Sequence, residues 1–565
     1  MWMSELPPFV IFFVAALLAL AARGWLRAVM MLATPIVGGL HLWFGIPVGT
    51  LLSVPLLEFE LVLVRADRLS LLFGYMFHIA ALIAMIFALH VRERTQTVAG
   101  LLYAGSALGA VFAGDLITLF IFWELLAITS VFLIWARKTE RAMRAGQRYL
   151  IIQVTSGVLL LAGALVHYHE NGSLAFDYIG LEGISGTLIF IAFGIKCAFP
   201  FLHNWLTDAY PEATPTGTVF LSAFTTKVAV YSLARGFPGT DILVYIGAAM
   251  TCFPIFYAVI ENDLRRVLAY SMINQIGFMV CGVGIGTALA LNGAVSHAFN
   301  DVIFKGLLFM SMGAVLYRTG EIRGSHLGGL YKTMPKTAIL CIVGASSISA
   351  FPLFSGFVSK SMVMTAMIEE GYDYLWLMLL FASAGVFHHA GIKIPYFAFF
   401  AHDSGIRTQE APRNMLIAMS LAAVLCIFIG SQPQYLYGLL PWEVDYWPYD
   451  TTHVLAQLQL LFFSALAFVW LNKAGLYPPE LPSVNIDAEW LYRRLLPAGL
   501  RTTERGLMPA WQGFNAALSR QVNALTDFLL RHHGPSGTMA RTWPTGSMAL
   551  WVAVLLAVMV LVYYI

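Results

Sequence analysis

The chain has 565 residues, 59% of them hydrophobic and 11% charged, and a formal net charge of +2. A mean hydropathy of +0.75 excludes a water-soluble globule, which has no interior able to hide so much apolar surface. The five cysteines stand singly in apolar runs, and there is no CxxC pair, Walker-type loop or GxGxxG stretch, so no cofactor, metal or ATP site is expected, and no nucleic-acid partner.

A hydrocarbon core about 30 Å thick needs about 20 apolar residues per helix. That ruler marks about sixteen segments, near 8–25, 28–48, 70–91, 97–114, 115–136, 149–167, 184–203, 216–235, 241–260, 266–286, 287–316, 338–365, 374–400, 413–432, 453–472 and 546–564. The first lacks a basic run and a small-residue cleavage site, which predicts a retained helix rather than a signal peptide. Basic residues collect in the loops after odd-numbered segments, with Arg137, Lys138, Arg141, Arg144 and Arg148 after the fifth and Arg265 and Arg266 after the ninth. The loops 168–182 and 433–452 contain no Lys or Arg. The positive-inside rule then places the basic loops in the cytoplasm and both termini outside. The expected fold is an all-α polytopic membrane protein with about 14–16 transmembrane helices.

One long polar insert, 474–545, interrupts the pattern. Within it Trp511, Phe514, Leu518, Val522, Leu525 and Leu529 recur every three or four residues, with Arg520, Asp527 and Arg531 off that stripe. This predicts an amphipathic helix for the membrane surface, a partner protein or the chain's own bundle.

Ionisable residues inside apolar spans cost roughly 2.5–3.5 kcal/mol each and mark function by default. In chain order they are Glu124, Lys196, Lys227, His297, Asp301, Lys305, Lys360 and Lys393. His297, Asp301 and Lys305 are spaced by four, which stacks them on one helical face. A His, an acid and a Lys so placed can hold or pass a proton, because burial and a neighbouring carboxylate oppose each other at the lysine. For Lys393, near a span end, snorkelling to the interface weighs equally with a place at the end of a proton path beside Lys360, and the plain reading of His388 and His389 is that they face lipid headgroups.

Two stretches echo each other, "CAFPFLHNWL" from 197 and "SAFPLFSGFVSK" from 349. Pro200 and Pro352 each remove a helical hydrogen bond, and such breaks survive in a membrane where protein or water satisfies the freed groups. Paired broken helices point to inverted repeats around an ion path. The expected organisation is N-terminal spans over 1–96, a first five-helix repeat over 97–236, an inverted second over 237–405, further spans over 406–473, the insert at 474–545 and a last span at 546–565. Lys227 then has Lys393 as its counterpart. His203 and Asp208, beyond Pro200, are a candidate entry directed at the outer face.

Over about 97–405 the chain resembles the proton-conducting antiporter-like subunits of Mrp-type cation/proton antiporters, respiratory complex I and membrane-bound hydrogenases, with the D-type Mrp protein the nearest kind. The resemblance rests on "DLITLFIFWELLAITSVFLI", "GIKCAFPFLHNWLTDAYPEATPTGTVFLSAFTTKVAVYSLAR", "NDLRRVLAYSMINQIGF", "HAFNDVIFKGLLFMSMG" and "FPLFSGFVSK". It implies a proton path through Glu124, Lys196, Lys227, Lys305 and Lys360, with His297 as a relay. Asp301 departs from the histidine usual in the L-type protein of complex I. The implied function is proton movement coupled to a monovalent cation such as Na⁺, within a complex of integral membrane subunits in a bacterial inner membrane. The alternatives are a redox-driven pump, a component of inorganic-carbon uptake, and a scaffold whose charges only lock helices together.

Overall fold

The computed structural model describes residues 6–56, 59–443, 445–481, 485–538, 540–541 and 544–564. Residues 482–484, 539, 542 and 543 of the expected polar insert lie outside that set. The chain divides into two units, Met1–Asn485 and Ile486–Ile565.

Apolar runs bounded by polar caps make the first unit a helical bundle. Its helices are α1 Pro8–Ala21, α2 Trp25–Gly45, α3 Arg68–Ala88, α4 Arg94–Phe112, α5 Leu116–Trp135, α6 Glu140–Asn171, α7 Gly183–Cys197, α8 Asn204–Ala209, α9 Gly217–Ala223, α10 Thr225–Gly236, α11 Ile242–Ile260, α12 Leu264–Ile285, α13 Ala288–Thr319, α14 Pro335–Ile348, α15 Ser355–Glu369, α16 Asp373–Val386, α17 Lys393–Pro395, α18 Arg413–Ser431, α19 Gln434–Tyr437 and α20 Thr451–Lys473. Beyond α16 the helix widens into π turns at Phe387–Ile392 and Tyr396–Phe400, which flank Lys393. The second unit holds α21 Leu496–His533 and α22 Thr545–Tyr564.

Among the described residues, thirteen helical stretches are long and apolar enough to cross a membrane, and Pro8–Ala21, Gly183–Cys197 and Pro335–Ile348 are shorter apolar helices. The chain is an all-α polytopic membrane protein. Its small β element, the antiparallel hairpin β1 Leu51–Leu56 and β2 Phe59–Arg65, was not expected. Six- and seven-residue strands fall below a ruler of about 20 residues. The hairpin is tied to the bundle by Val62 N–H donating to Asp115 Oδ2 at 2.7 Å and by Gly114 N–H donating to the Val62 carbonyl at 2.9 Å.

The basic loops share one face. Lys138 pairs with Glu93 at 2.8 Å, Arg141 with Glu212 at 2.8 Å and Arg148 with Asp208, while Arg265 donates to the Pro211 carbonyl at 3.0 Å. On the opposite face Arg65 meets Asp177 and Arg235 meets Asp67, each at 2.7 Å. The clustering follows from an alternating path of helices that each cross the bundle once.

The two helix breaks have the same backbone. Ala198 and Phe201 have φ of 62° and 67°, and Ala350 and Leu353 have 56° and 72°. Phe199 N–H donates to the Gly194 carbonyl five residues back at 3.0 Å, and Phe351 N–H to the Ser346 carbonyl, also five back, at 3.0 Å. Left-handed φ costs a residue with a Cβ roughly 1–2 kcal/mol, so four such residues in matched places are a built device. Two N-caps match as well. Asp115 accepts from Ile117 and Thr118 N–H and bridges to Ala175; Asp263 accepts from Arg265 and Arg266 N–H and bridges to Arg323.

In the second unit α21 is longer than the stripe from Trp511 to Leu529 implies. All six stripe residues are exposed within the chain, as an amphipathic surface helix requires.

Candidate functional site

Seven of the eight intramembrane ionisable residues are buried, six with no exposure and Lys360 with 3%. Glu124 is the eighth and half-buried. The packing of α5, α6, α7, α10, α13, α15 and the π-widened helix brings them into the interior of the bundle.

Lys196 occupies the last turn of α7, where the left-handed Ala198 stops the helix. Its Nζ donates to the Trp123 carbonyl at 2.6 Å and lies 4.6 Å from the centre of the Trp123 ring. The ring is fixed in turn, since Trp123 Nε1–H donates to Ser156 Oγ, which donates to the Ala192 carbonyl. Glu124, the next residue on α5, projects against Gly157 of α6, where a side chain would collide with its carboxylate. Glu124 and Lys196 lie within electrostatic range of each other.

Lys227 and Asp301 form a fully buried ion pair at 2.6 Å. The α9–α10 junction at Phe224 makes room for it, and Lys227 Nζ also donates to the Ser222 carbonyl at 3.1 Å. His297, Asp301 and Lys305 share one face of α13, as their spacing requires. His297 Nδ1 is 3.0 Å from Ser359 Oγ and Nε2 3.1 Å from Gln275 Oε1, while Lys305 donates to Ser271 Oγ at 2.8 Å. Asp301 acts electrostatically on both Lys305 and Lys360.

Lys360 sits after the second break, 4.7 Å from the Phe278 ring centre and 3.4 Å from Ser383 Oγ. It lines a cavity of about 110 Å³ together with Ser361, Thr365, Ser383, His453 and Gln457. His453 approaches Thr365 Oγ1 at 3.2 Å and pairs with Asp450, which is exposed at the start of α20. The cavity therefore joins Lys360 to polar groups on the face away from the basic loops.

Three expectations change. The stretch through His203 and Asp208 does not run toward the loop 168–182, as expected, but to the end of the bundle that carries the basic loops. Asp208 accepts two hydrogen bonds from Arg148, at 2.7 and 3.0 Å, near the start of α6, at the basic end and away from the loop 168–182. His203 is buried, with its ring 4.7 Å from that of Phe253. The stretch 204–217 has no Lys or Arg of its own, and its acids Asp208 and Glu212 pair with Arg148 and Arg141 of α6. His389 is not among headgroups; it is fully buried, whereas half-buried His388 packs against Phe468 and Tyr477. Lys393 does not snorkel. Its Nζ donates to the Val259 and Glu261 carbonyls at 2.6 and 2.7 Å and pairs with Glu480 Oε1 at 2.8 Å.

Glu480 and His453 were not singled out in the sequence. Glu480 lies in a polar insert where an acid is unremarkable, and His453 starts a span beside an acidic loop. No spacing rule joins either to a lysine about 90 residues away.

Residues 113–387 match the family model described as "NADH:quinone oxidoreductase/Mrp antiporter, TM". The chain is 27% identical over 435 residues to hydrogenase-4 component B of Escherichia coli, covering 68% of this chain and 64% of that protein. It is 28% identical to the A-type Na⁺/H⁺ antiporter protein of Alkalihalophilus pseudofirmus, over 66% of this chain and 53% of that protein. For the D-type antiporter protein of the same organism the identity is 29%, over 59% and 72%. The chain thus spans less than two thirds of the length of the first two. In fold it is similar to a chain of the Mrp complex from a Dietzia species, with a TM-score of 0.65, 21% identity and coverage of 80% of this chain and 95% of that one. It is also similar to a chain of the archaeal membrane-bound sulfane sulfur reductase, with a TM-score of 0.72, 22% identity and coverage of 98% and 100%.

Proposed function

Through residues 113–387 the chain belongs to the NADH:quinone oxidoreductase/Mrp antiporter transmembrane family, and from that premise we propose that it translocates protons along its buried ionisable side chains, as one member of a multi-subunit bacterial inner-membrane complex. The observation that carries this is the ratio of charges around Asp301. Lys227, Lys305 and Lys360 all feel this one carboxylate, and only Lys227 is in contact with it. Protonating all three would leave two ammonium groups without a counter-ion, and each uncompensated buried charge costs several kcal/mol. The cluster therefore favours fewer protons than it has sites, which is what a relay needs.

Protons enter at Glu124 and Lys196, pass through Lys227, Asp301 and Lys305, and leave from Lys360 through the cavity toward His453. The basic face of the first unit is cytoplasmic. The matched breaks and N-caps support two inverted repeats, over 97–236 and 237–405. The coupled reaction is exchange for a monovalent cation, Na⁺ by similarity to the antiporter proteins. Coupling to an oxidoreductase is the second reading, favoured by component B of hydrogenase-4, whose alignment covers 68% of this chain against 59% for the D-type antiporter protein.

The test is Lys196→Ala in the assembled complex, assayed by proton flux in everted vesicles. Flux is expected to vanish with the variant chain still present in the complex. Proton movement at the normal rate would overturn the proposal.

A further inference from the structure

His389, Lys393 and Glu480 lie outside the path just described, on the side of the second half opposite the Lys360 cavity. Lys393 Nζ has three acceptors within 2.8 Å: the Val259 carbonyl, the Glu261 carbonyl and Glu480 Oε1. An ammonium group has three N–H donors, so the site is matched to the charged lysine. Glu480 is 5% exposed, and among the described residues its carboxylate has Lys393 as its ion-pair partner. His389 has no exposure, its ring lies beside the Gly385 backbone with no other side chain bonded to it among the described residues, and it feels the charges of Lys305 and Lys393. The backbone around both residues is π-helical, a local widening found mostly at functional sites.

The cluster lies toward the basic face. Val259 and Glu261 are at the end of α11 that leads to Arg265, Glu261 lies 3.8 Å from Arg266, and a side chain at Gly324 of the basic loop would touch the Glu480 carboxylate. The other titratable groups facing the pair are the Glu261 carboxylate, His388 and Tyr477.

We infer that His389, Lys393 and Glu480 form a second proton port, which connects Lys305 to the basic face and has Glu480 as its terminal proton-holding group. This rests on the proton-path reading above. A proton leaves the Lys305 ammonium for the neutral His389 imidazole, and the resulting imidazolium reprotonates Lys393 after Lys393 has passed its own proton to the Glu480 carboxylate. While Lys393 is neutral, its two remaining N–H groups stay on the two carbonyls and its lone pair accepts from the Glu480 acid, so no buried donor is orphaned. Glu480 then releases the proton at the basic face, and charge is conserved at each transfer. The second half thereby opens to both faces through different side chains, by Lys360 and His453 on one and by Lys393 and Glu480 on the other.

A structural ion pair and a proton port respond differently to loss of both charges. Replacing a buried pair by apolar side chains is often neutral for stability. The test is therefore Lys393→Met with Glu480→Met in the whole complex, assayed in everted vesicles as proton flux against bath pH, beside Glu480→Gln, Glu480→Asp and Lys196→Ala. The port predicts that the double variant assembles, loses flux about tenfold or more and no longer responds to pH at the basic face. Glu480→Asp should recover part of both. Normal flux with an unchanged pH profile in the double variant, alongside a silent Lys196→Ala, overturns the port and leaves the main path standing. Normal flux in both overturns the proton-path reading itself.

Discussion

The two broken helices share a backbone and differ in what they carry. Before the first break Lys196 lies under the Trp123 ring, with Glu124 on the adjacent helix as its acidic neighbour. After the second break Lys360 borders a cavity and, among the described residues, has no acid in contact, while Asp301 acts on it from a distance. One chain device, a proline with two left-handed residues around it, thus creates a packed lysine in one half and a cavity-lining lysine in the other. The break makes the space and the neighbouring helices decide what fills it. A packed lysine beside its own acid suits holding a proton, and one on a cavity suits releasing it.

The largest effect is expected where the halves meet. Asp301→Asn leaves the Lys227 charge buried without a counter-ion, a loss of about 3–5 kcal/mol. If that falls on the transport step, proton flux drops by about two to three and a half orders of magnitude, a factor of ten per 1.4 kcal/mol. Lys227→Met with Asp301→Asn removes the lone charge, and is expected to restore assembly but not flux. Flux in that double variant would mean that the halves are not joined through this pair.

A smaller effect is expected at the cavity. His453→Ala widens the cavity and leaves room for water, so flux should fall only several-fold, well short of the full effect of a positioned proton carrier. The same assay distinguishes this from Lys360→Met, which removes the carrier and should stop release. Equal losses in the two variants would make His453 a carrier rather than part of the cavity wall.

These partners mark where the sequence stopped being informative. The spans were readable because a bilayer imposes one length on every crossing helix. Glu124, Lys196, Lys227 and Asp301 stood out because a charge in an apolar run has few benign explanations. Their pairings were not readable. Lys393 could be aligned with Lys227 by the repeat, but its acid, Glu480, could not be read, because that pairing is made by tertiary packing between residues far apart in the chain. Asp208 pointed outward only while its neighbour Arg148 was out of view. The hairpin at 51–65 was missed because the search was for helices alone.

The shared backbone of the breaks can be tested separately from their chemistry. At Ala198 and Ala350 glycine relieves roughly 1–2 kcal/mol of left-handed strain and adds about 0.5–1 kcal/mol of unfolded-chain entropy. Ala198→Gly and Ala350→Gly should leave the apparent Tm unchanged or slightly higher. Ala192→Gly, inside α7 and without exposure, should lower it. A loss at Ala198 as large as that at Ala192 would show that the break is not needed in the folded chain.

The smallest effect is expected on the basic face, away from both breaks. Glu321 accepts from the Arg323 side chain, from His326, and from the backbone N–H groups of Ile322 and Arg323, and these donors hold its carboxyl well below the usual range of about 4.5. Because the folded value is depressed, its contribution is present above the unfolded value and is lost as the pH falls through the folded one. Glu321→Gln should lower the apparent Tm by only about a degree near pH 7, as exposed ion pairs do. The gap from the parent should close in strongly acidic buffer, where both side chains are neutral. Proton flux should not change. A flux defect here would extend the transport machinery to the surface of the basic face, well beyond the two breaks and the charges between them.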